Sequence, residues 1–213
     1  QDVTSRRSLW YYLFTIRAAK RRGCRVMMYG CGIGPVIYDA DRRMAGKIID
    51  SNVDAITLRE SQSLTELECL GVSRPEISVA SDPALTLTPA HDSEIDSQLL
   101  ACGMNPMGDY IAFCLRGWGD RTGDIAQCAE YAYEKHGLTP VFISINHLDD
   151  GLAADLVAEK LHVPYFSIRE PMSSELTIGI LSRMHAVVSM RLHGLIFSAG
   201  QGVPLIAVSY DPK

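Results

Sequence analysis

The chain has 213 residues, of which 47% are hydrophobic and 21% are charged, and this composition predicts a globular protein with a buried core. Its net charge of −5 argues against nucleic-acid binding through bulk charge, so any anionic ligand must be held by a local cluster. No apolar run reaches the roughly 18 residues that span a bilayer, and the polar first eight residues do not resemble a signal peptide. The six cysteines form no C-x-x-C pair, and we predict that they are reduced core residues of a cytosolic protein.

Helical and strand-like patterns alternate along the first part of the chain. The apolar spacing of Leu9, Tyr12, Leu13 and Ile16 predicts a first helix. Ser61 and Gly71 are the predicted N-cap and C-terminal stop of a third. The predicted elements are helix 9–20, strand 24–29, helix 39–51, strand 54–58, helix 61–70 and strand 77–80.

The stretch 87–106 interrupts this alternation with Pro89, Pro106 and one modest helical segment, 92–102, so we place the domain boundary there. The alternation then restarts, with Gly137 ending one helix and Ser173 or Ser174 capping another. The predicted elements are strand 110–115, helix 124–136, strand 141–145, helix 149–161, strand 164–168, a helix through 182, strand 185–189, helix 193–200 and strand 204–208.

Alternating strands and helices predict an α/β fold with parallel sheets. We expect two Rossmann-like domains, residues 1–88 and 108–213, joined by a linker at 89–107, with a cleft between them. The sequence lacks an initiator Met and stops just after a strand-like run, so we expect a fragment truncated at both ends.

The segment around Arg191 and His193 carries the strongest functional signal, because it joins the end of an apolar strand to the start of an apolar helix. The N–H groups of a helix N-terminus favour anions, Arg offers a planar two-pronged donor, and His exchanges a proton near neutral pH. Arg116 follows the apolar strand 110–115, and we predict that it faces a cleft. The alternatives are that the Arg–His pair only caps and packs, and that Arg116 is a surface residue paired with Asp120 or Asp124.

Polar residues also follow the strands of the first predicted domain. Arg59 and Glu60 follow one strand and Asp82 follows the next, at the edge where α/β sheets bind ligands. A solvated Arg–Glu pair and a turn-forming Asp are the alternatives. The cluster Gly30-x-Gly32-x-Gly34 departs from the dinucleotide pattern G-x-G-x-x-G, so a tight turn or a loop that approaches a ligand is favoured. Lys213 could add positive charge to the rim of the second domain.

Several familiar chemistries lack their motifs. No G-x-S-x-G elbow, Walker A loop or H-E-x-x-H occurs. The remaining histidines lack the spacing of metal ligands, so no metal site is expected.

The motifs described above resemble the polysaccharide pyruvyl transferase family. The most specific matches are the segment SMRLHGLIFSA at 189–199 and the segment GVPLIAVSYDPK at 202–213. Supporting matches are QDVTSRRS at 1–8, GIGP at 32–35, LRES at 58–61 and ASDPA at 80–84. The resemblance covers essentially the whole sequence, although the family's N-terminal glycine-rich strand and loop, and everything after Lys213, are absent from it.

This resemblance implies a two-domain fold similar to GT-B glycosyltransferases. It also implies transfer of pyruvate from phosphoenolpyruvate to a sugar as a ketal, with no cofactor. Arg116, Arg191 and His193 would hold phosphoenolpyruvate, and Leu192 would supply backbone contacts. In bacterial members that look like this chain, the acceptor is an amino-sugar unit of a lipid-linked cell-wall polymer precursor, which implies a cytoplasmic protein in peripheral contact with the inner face of the membrane.

The residues leave the chemistry open between two assignments. His193 is either the acid or base of the reaction or only a phosphate ligand, in which case Asp82 or Glu60 would activate the sugar hydroxyl. Two other functions compete with pyruvyl transfer. They are glycosyl transfer from a nucleotide sugar on a GT-B fold, and non-catalytic binding of a sugar or anion.

Overall fold

The computed structural model describes residues 5–117, 121–146 and 150–209, which fold into two compact units, Gln1–Pro83 and Ala84–Lys213. Each unit contains one sheet, and every strand pair in both sheets is parallel. The predicted α/β fold with two parallel sheets is therefore confirmed.

The first unit packs its helices on a three-stranded sheet of order β1-β2-β3. Its core is apolar and centres on Ile56, Leu58 and Leu67, which are at most 1% exposed. The elements are α1 (Arg6–Arg21), β1 (Met27–Cys31), α2 (Asp39–Asn52), β2 (Ala55–Leu58), α3 (Ser61–Cys69) and β3 (Glu76–Val79), followed by a 3₁₀ turn at Pro83–Thr86 that crosses into the second unit.

The second unit is built on a five-stranded sheet of order β6-β5-β4-β7-β8, with an apolar core on each face. All five residues of its central strand, β4 (Tyr110–Cys114), are buried, as expected when helices cover both faces of a parallel sheet. The other elements are α4 (Asp92–Ala101), α5 (Thr122–His136), β5 (Thr139–Ile143), α6 (Asp150–Ala158), β6 (Phe166–Ile168), α7 (Ser174–Ser182), β7 (Ala186–Ser189), α8 (Leu192–Gly200) and β8 (Leu205–Ala207).

Residues 89–107, predicted as a linker, contain helix α4. Ile95 and Leu99 of α4 are at most 1% exposed and belong to the core of the second unit, and Asp92 accepts a hydrogen bond from Arg183 after α7. This segment therefore packs into the second unit through Ile95 and Leu99, although its flanking prolines are typical of a linker.

The predicted caps are mostly present. Ser173 caps α7 by accepting a hydrogen bond from the Leu176 N–H, and Gly71 and Gly137 have the positive φ angles that end α3 and α5. The predicted N-cap of α3 is wrong by one position, because Glu60 occupies it and Ser61 is already helical.

The cysteine prediction is only partly right. All six are free thiols, but Cys24 and Cys69 are exposed, three others are half-buried, and only Cys114 lies fully in the core. Among the described residues, no helix combines the length and the apolar character that crossing a bilayer requires.

Two carboxylates tie loops of the first unit to its helices. Asp54 accepts hydrogen bonds from Lys20 Nζ at 2.6 Å and from the Val26 N–H at 2.7 Å, and Asp50 accepts from the N–H groups of Ser73 and Arg74. The hydrogen bond from Lys20, followed by that from Val26, lowers the pKa of Asp54, and the two backbone N–H groups lower the pKa of Asp50.

We therefore expect the first unit to lose stability in acid. A carboxylate whose pKa is lower when folded stabilises the fold above the unfolded pKa of about 4, and this contribution is lost as pH falls through the folded pKa. The Asp54→Asn variant should lose less stability than the native chain between neutral and acidic pH in urea unfolding. An equal loss in both proteins would contradict this account.

Candidate functional site at the carboxyl edge of the second sheet

The strand order of the second sheet contains a topological switch point. The chain runs outward from β4 to β5 and β6, then returns to the other side of β4 for β7 and β8. Ligands of open α/β sheets bind beyond the carboxyl ends of the strands at such a point. Cys114 pairs with Ser189 across it, so Arg116 and Arg191 each follow the paired residue by two positions. The structure thus places the two predicted arginines after neighbouring strand ends.

Arg116 lines a small recess in the second unit. The recess lies beside the N-terminus of α5 and is mostly apolar, with Leu115, Ile125 and Val157 among its lining residues. Arg116 is half-buried there. Of its two predicted alternative partners, Asp124 lies 3.6 Å from Arg121, and Asp120 is outside the described residues.

Arg191 forms an ion pair with Asp150, the first residue of α6. Both Nε, at 2.9 Å, and Nη2 donate to Asp150 Oδ1, while Asp150 Oδ2 accepts from the N–H groups of Ile145 and Asn146. The Asp150 side chain is 2% exposed and that of Arg191 is 16% exposed. The carboxylate therefore fixes the direction of the guanidinium, and it also neutralises much of the charge that Arg191 was predicted to offer an anion.

The start of α8 packs closely against the ends of β4 and β7. Ser189 Oγ accepts from the Arg191 N–H at 3.0 Å and donates to the Arg191 carbonyl oxygen at 2.8 Å. Cys114 is fully buried beneath it, and burial, followed by the negative charge of Asp150, raises the pKa of its thiol to about 12. Cys114 is therefore a neutral packing residue and not a nucleophile.

Gly194 makes this close packing possible, which leads to a prediction. A Cβ at Gly194 would lie 2.6 Å from Ser189 Oγ and 3.2 Å from Cys114 Cβ. We expect Gly194→Ala to cost roughly 1–3 kcal/mol in the free energy of unfolding, since a close-packed core cannot accept the methyl group without shifting. Urea unfolding measures this cost.

The matched control for this prediction is Gly123→Ala in the first turn of α5, where an added Cβ would meet no atom within 4 Å. Gly123→Ala should leave the free energy of unfolding unchanged or raise it by up to about 1 kcal/mol. Equal effects at the two glycines would contradict the packing described for α8.

His193 and Leu192 lie in the first turn of α8 and are both exposed. The His193 ring lies 5.8 Å from that of Phe197, one turn later, and its nitrogens make no hydrogen bond to the described residues. No side chain caps α8, and among the described residues the N–H groups of Leu192, His193 and Gly194 have no acceptor. This helix start can therefore donate to an anion beside an imidazole.

The residues predicted in the first unit lie together at the carboxyl edge of its own sheet. Arg59 Nη1 donates to Asp82 Oδ2 at 2.8 Å, and Glu60 Oε1 accepts from Ser63 Oγ at 3.0 Å. Ser63 Oγ in turn accepts from the Ile33 N–H. The alternative prediction of an ion pair between Arg59 and Glu60 is therefore wrong, because Arg59 pairs with Asp82, which follows the next strand.

The glycine loop of the first unit is a close-approach turn. Gly30 has a φ of +59°, and a Cβ on Gly32 would lie 3.1 Å from Arg59 Nε and 3.2 Å from Glu60 Oε1. Gly34 follows in the same half-buried segment. Because α2 starts only at Asp39, no helix N-terminus follows the loop directly, and the structure gives no support to dinucleotide binding there.

Asp150 is the site residue that the sequence analysis missed. An acid at the start of a helix is common because it complements the helix dipole, and nothing in the sequence connects Asp150 to Arg191, 41 positions later. Lys213, by contrast, lies outside the described residues. Among those described, no group of three or more His, Cys, Asp or Glu side chains is placed to hold a metal ion.

Comparison with known proteins identifies the family. The model of the polysaccharide pyruvyl transferase family matches residues 1–212. The chain belongs to this family. It is also 26% identical to the amylovoran biosynthesis protein AmsJ of Erwinia amylovora, in an alignment that covers 88% of the chain and 50% of that protein. The chain thus spans about half the length of this curated relative.

Solved structures similar to this family member share its fold. A UDP-N-acetylglucosamine 2-epimerase of Neisseria meningitidis is 15% identical, with a TM-score of 0.58 over 92% of this chain and 56% of that one. HepE of Anabaena, solved in complex with UDP, is 10% identical, with a TM-score of 0.56 over 92% of this chain and 56% of that one. A family 9 glycosyltransferase of Veillonella parvula is 15% identical, with a TM-score of 0.54 over 96% of this chain and 63% of that one. These likenesses support a GT-B-like fold.

Proposed function

We propose that the protein transfers pyruvate from phosphoenolpyruvate to a sugar of a cell-wall or exopolysaccharide precursor and forms a pyruvate ketal. Membership of the family supports this proposal. The observation that carries it furthest is the grouping of Arg116, Arg191 and His193 after neighbouring strands at the switch point of the second sheet. The donor carries a phosphate and a carboxylate, and this grouping offers cationic and N–H donors for two anionic groups.

The ion pair with Asp150 defines the role of Arg191 in this proposal. Because Nε and Nη2 face Asp150, the guanidinium is held in one orientation, and a donor fixed in advance costs little reorganisation during reaction. The pair is formally neutral, so Arg191 contributes orientation more than net positive charge to the site.

The reaction needs a proton at the methylene carbon of phosphoenolpyruvate, which makes the central carbon electrophilic. One sugar hydroxyl then adds to that carbon, the bond to the phosphate oxygen breaks, and a second hydroxyl closes the ketal. The two hydroxyl protons end on the new methyl group and on the departing phosphate. His193 is our candidate for the proton transfer, because its imidazole is exposed beside unpaired N–H groups.

The alternative assigns activation of the sugar hydroxyl to Glu60 or Asp82, with His193 binding only phosphate. Asp82 is engaged in the ion pair with Arg59. Glu60 accepts a hydrogen bond from Ser63 Oγ and forms no ion pair with the described residues. Of the two, Glu60 is thus the better candidate for accepting a proton, and loss of activity in Glu60→Gln with retained phosphoenolpyruvate binding would favour this alternative.

Arg116 provides a test of the donor site. We expect Arg116→Ala to weaken phosphoenolpyruvate binding by about tenfold or more, since a charge-assisted hydrogen bond contributes about 1.5–3 kcal/mol. Calorimetric titration of the full-length enzyme measures this. Arg43→Ala, an exposed arginine on α2, is the control and should bind phosphoenolpyruvate normally. Unchanged affinity in a folded Arg116→Ala variant would remove this residue from the donor site.

A ligand screen separates this proposal from glycosyl transfer. A ligand that binds only the folded state raises the melting temperature. We expect phosphoenolpyruvate to stabilise the full-length protein and to do so less in Arg116→Ala. Stabilisation by a uridine or cytidine nucleotide, without any by phosphoenolpyruvate, would favour a nucleotide-sugar donor instead.

A further inference from the structure

Helix α1 of the first unit is firmly attached to it along one side. Leu9 and Leu13 are 5% and 3% exposed in the core. Arg6 Nε donates to the buried Asp41 of α2 at 2.9 Å, and Lys20 Nζ donates to Asp54 at 2.6 Å. These contacts hold both ends of α1 and determine which side of the helix faces away from the core.

The opposite side of α1, here called the outer face, combines aromatic and cationic side chains. Trp10, Tyr11 and Phe14 are 41%, 64% and 71% exposed. Residues spaced three and four positions apart lie on one side of a helix. Those that form the outer face in this way are Arg7, Trp10, Phe14, Arg17 and Arg21.

The outer face also bounds two shallow recesses that share Phe14. One is lined by Arg6, Arg7, Trp10, Tyr11 and Phe14, and the other by Phe14, Arg17, Ala18, Arg21 and Arg22. The aromatic rings thus lie in the middle of the face, and arginines lie at both of its ends.

The charge around this helix is opposite to that of the chain as a whole. No Asp or Glu occurs between positions 3 and 38, although the chain carries a net charge of −5. Arg6 and Lys20 are used in the ion pairs described above. Four other basic side chains, on α1 or at its C-cap, form no ion pair within the part of the chain that the structure describes, namely Arg7, Arg17, Arg21 and Arg22.

We propose that the outer face of α1 is a membrane-binding surface for bilayers that contain anionic phospholipid. A helix with tryptophan and other aromatic residues between arginines lies in the plane of the interface, with its rings among the headgroups and its cations at the phosphates. The local arginines act within a screening length of about 10 Å, so the net negative charge of the chain does not prevent this contact. The surface is distinct from the candidate donor site, and the inference does not depend on the proposed function.

Fluorescence of Trp10 tests this proposal directly. The 213-residue sequence has two tryptophans, so Trp118→Phe leaves Trp10 as the only one in this chain. We expect its emission to shift to the blue with phosphatidylcholine vesicles containing about one-third phosphatidylglycerol, and binding to be weak without the anionic lipid. The protein should sediment with the anionic vesicles at low salt and less at high salt.

Charge and apolar variants make the test specific. Each cation lost near the surface should weaken binding about fivefold, so Arg17→Glu with Arg21→Glu should weaken it at least 25-fold. Arg43→Glu with Lys47→Glu, two exposed cations of α2, is the matched control and should bind much better. Trp10→Ala with Phe14→Ala should also reduce sedimentation, whereas Leu152→Ala with Met107→Ala, at exposed apolar positions of the second unit, should not.

Three results would overturn the proposal. The first is no blue shift and no sedimentation with anionic vesicles. The second is binding that the α2 control weakens as much as the α1 variant. The third is an oligomer of the native chain that Trp10→Ala with Phe14→Ala converts to a monomer, without vesicle binding, because the face would then be a contact between copies of this chain.

Discussion

Replacing His193 with alanine should lower the rate of pyruvyl transfer by about 10²- to 10⁴-fold, the usual contribution of a positioned acid or base. The side chain is exposed and makes no hydrogen bond to the described residues, so the fold should be unaffected. Steady-state kinetics of the full-length enzyme, together with a melting curve, measures both effects.

Two controls make the His193 result interpretable. His162→Ala removes another exposed imidazole of the second unit, one that contacts Glu130, and should keep its rate. His193→Asn retains a neutral hydrogen-bond donor. If His193 only binds phosphate, the asparagine variant should recover much of the rate, whereas an acid or base role predicts that it stays inactive. Full turnover in His193→Ala would remove this residue from the mechanism.

The second large effect is expected at Asp150, where we predict that Asp150→Asn lowers the free energy of unfolding by about 3–5 kcal/mol. The substitution leaves the guanidinium of Arg191, 16% exposed, without its counterion. An asparagine oxygen can still accept from the N–H groups of Ile145 and Asn146, so the loss reports mainly on the ion pair. Urea unfolding of the single variant measures it.

Asp155→Asn is the matched control, because it lies on the same helix and breaks an ion pair with Arg169 that is 46% and 42% exposed. Such exposed pairs contribute less than about 1 kcal/mol. The double variant Asp150→Asn with Arg191→Met removes both charges and should recover part of the lost stability. An equal cost for Asp150→Asn and Asp155→Asn would contradict the structural role given to the buried pair.

The order of elements could be predicted from the sequence because its signals are local. Apolar runs such as β4 and turn residues such as Gly137 depend only on their neighbours, and the ends of most predicted elements fall within a few residues of the observed ones. The position of Arg116 and Arg191 at one edge of the sheet also follows from the alternation, since parallel strands end at the same edge, whereas the adjacency of β4 and β7 does not.

Contacts between distant parts of the chain could not be predicted in this way. Asp150 and Arg191 are 41 positions apart, and Arg59 and Asp82 are 23 apart. Nothing in either segment specifies its partner until the sheet brings the two together. The outer face of α1 shows the same limit, because only the docking of Leu9 and Leu13 determines which side of the helix remains exposed.

The mass of the product formed from phosphoenolpyruvate tests the central claim most directly. Full-length enzyme should be incubated with phosphoenolpyruvate and candidate saccharide acceptors, and the acceptor analysed by mass spectrometry together with released phosphate. We predict an acceptor heavier by one pyruvate less one water, one phosphate for each ketal, and much less of both products with Arg116→Ala when phosphoenolpyruvate is limiting. An acceptor that gains mass only from a nucleotide sugar, or one that binds and remains unmodified with every donor, would contradict the assignment of pyruvyl transfer to this protein.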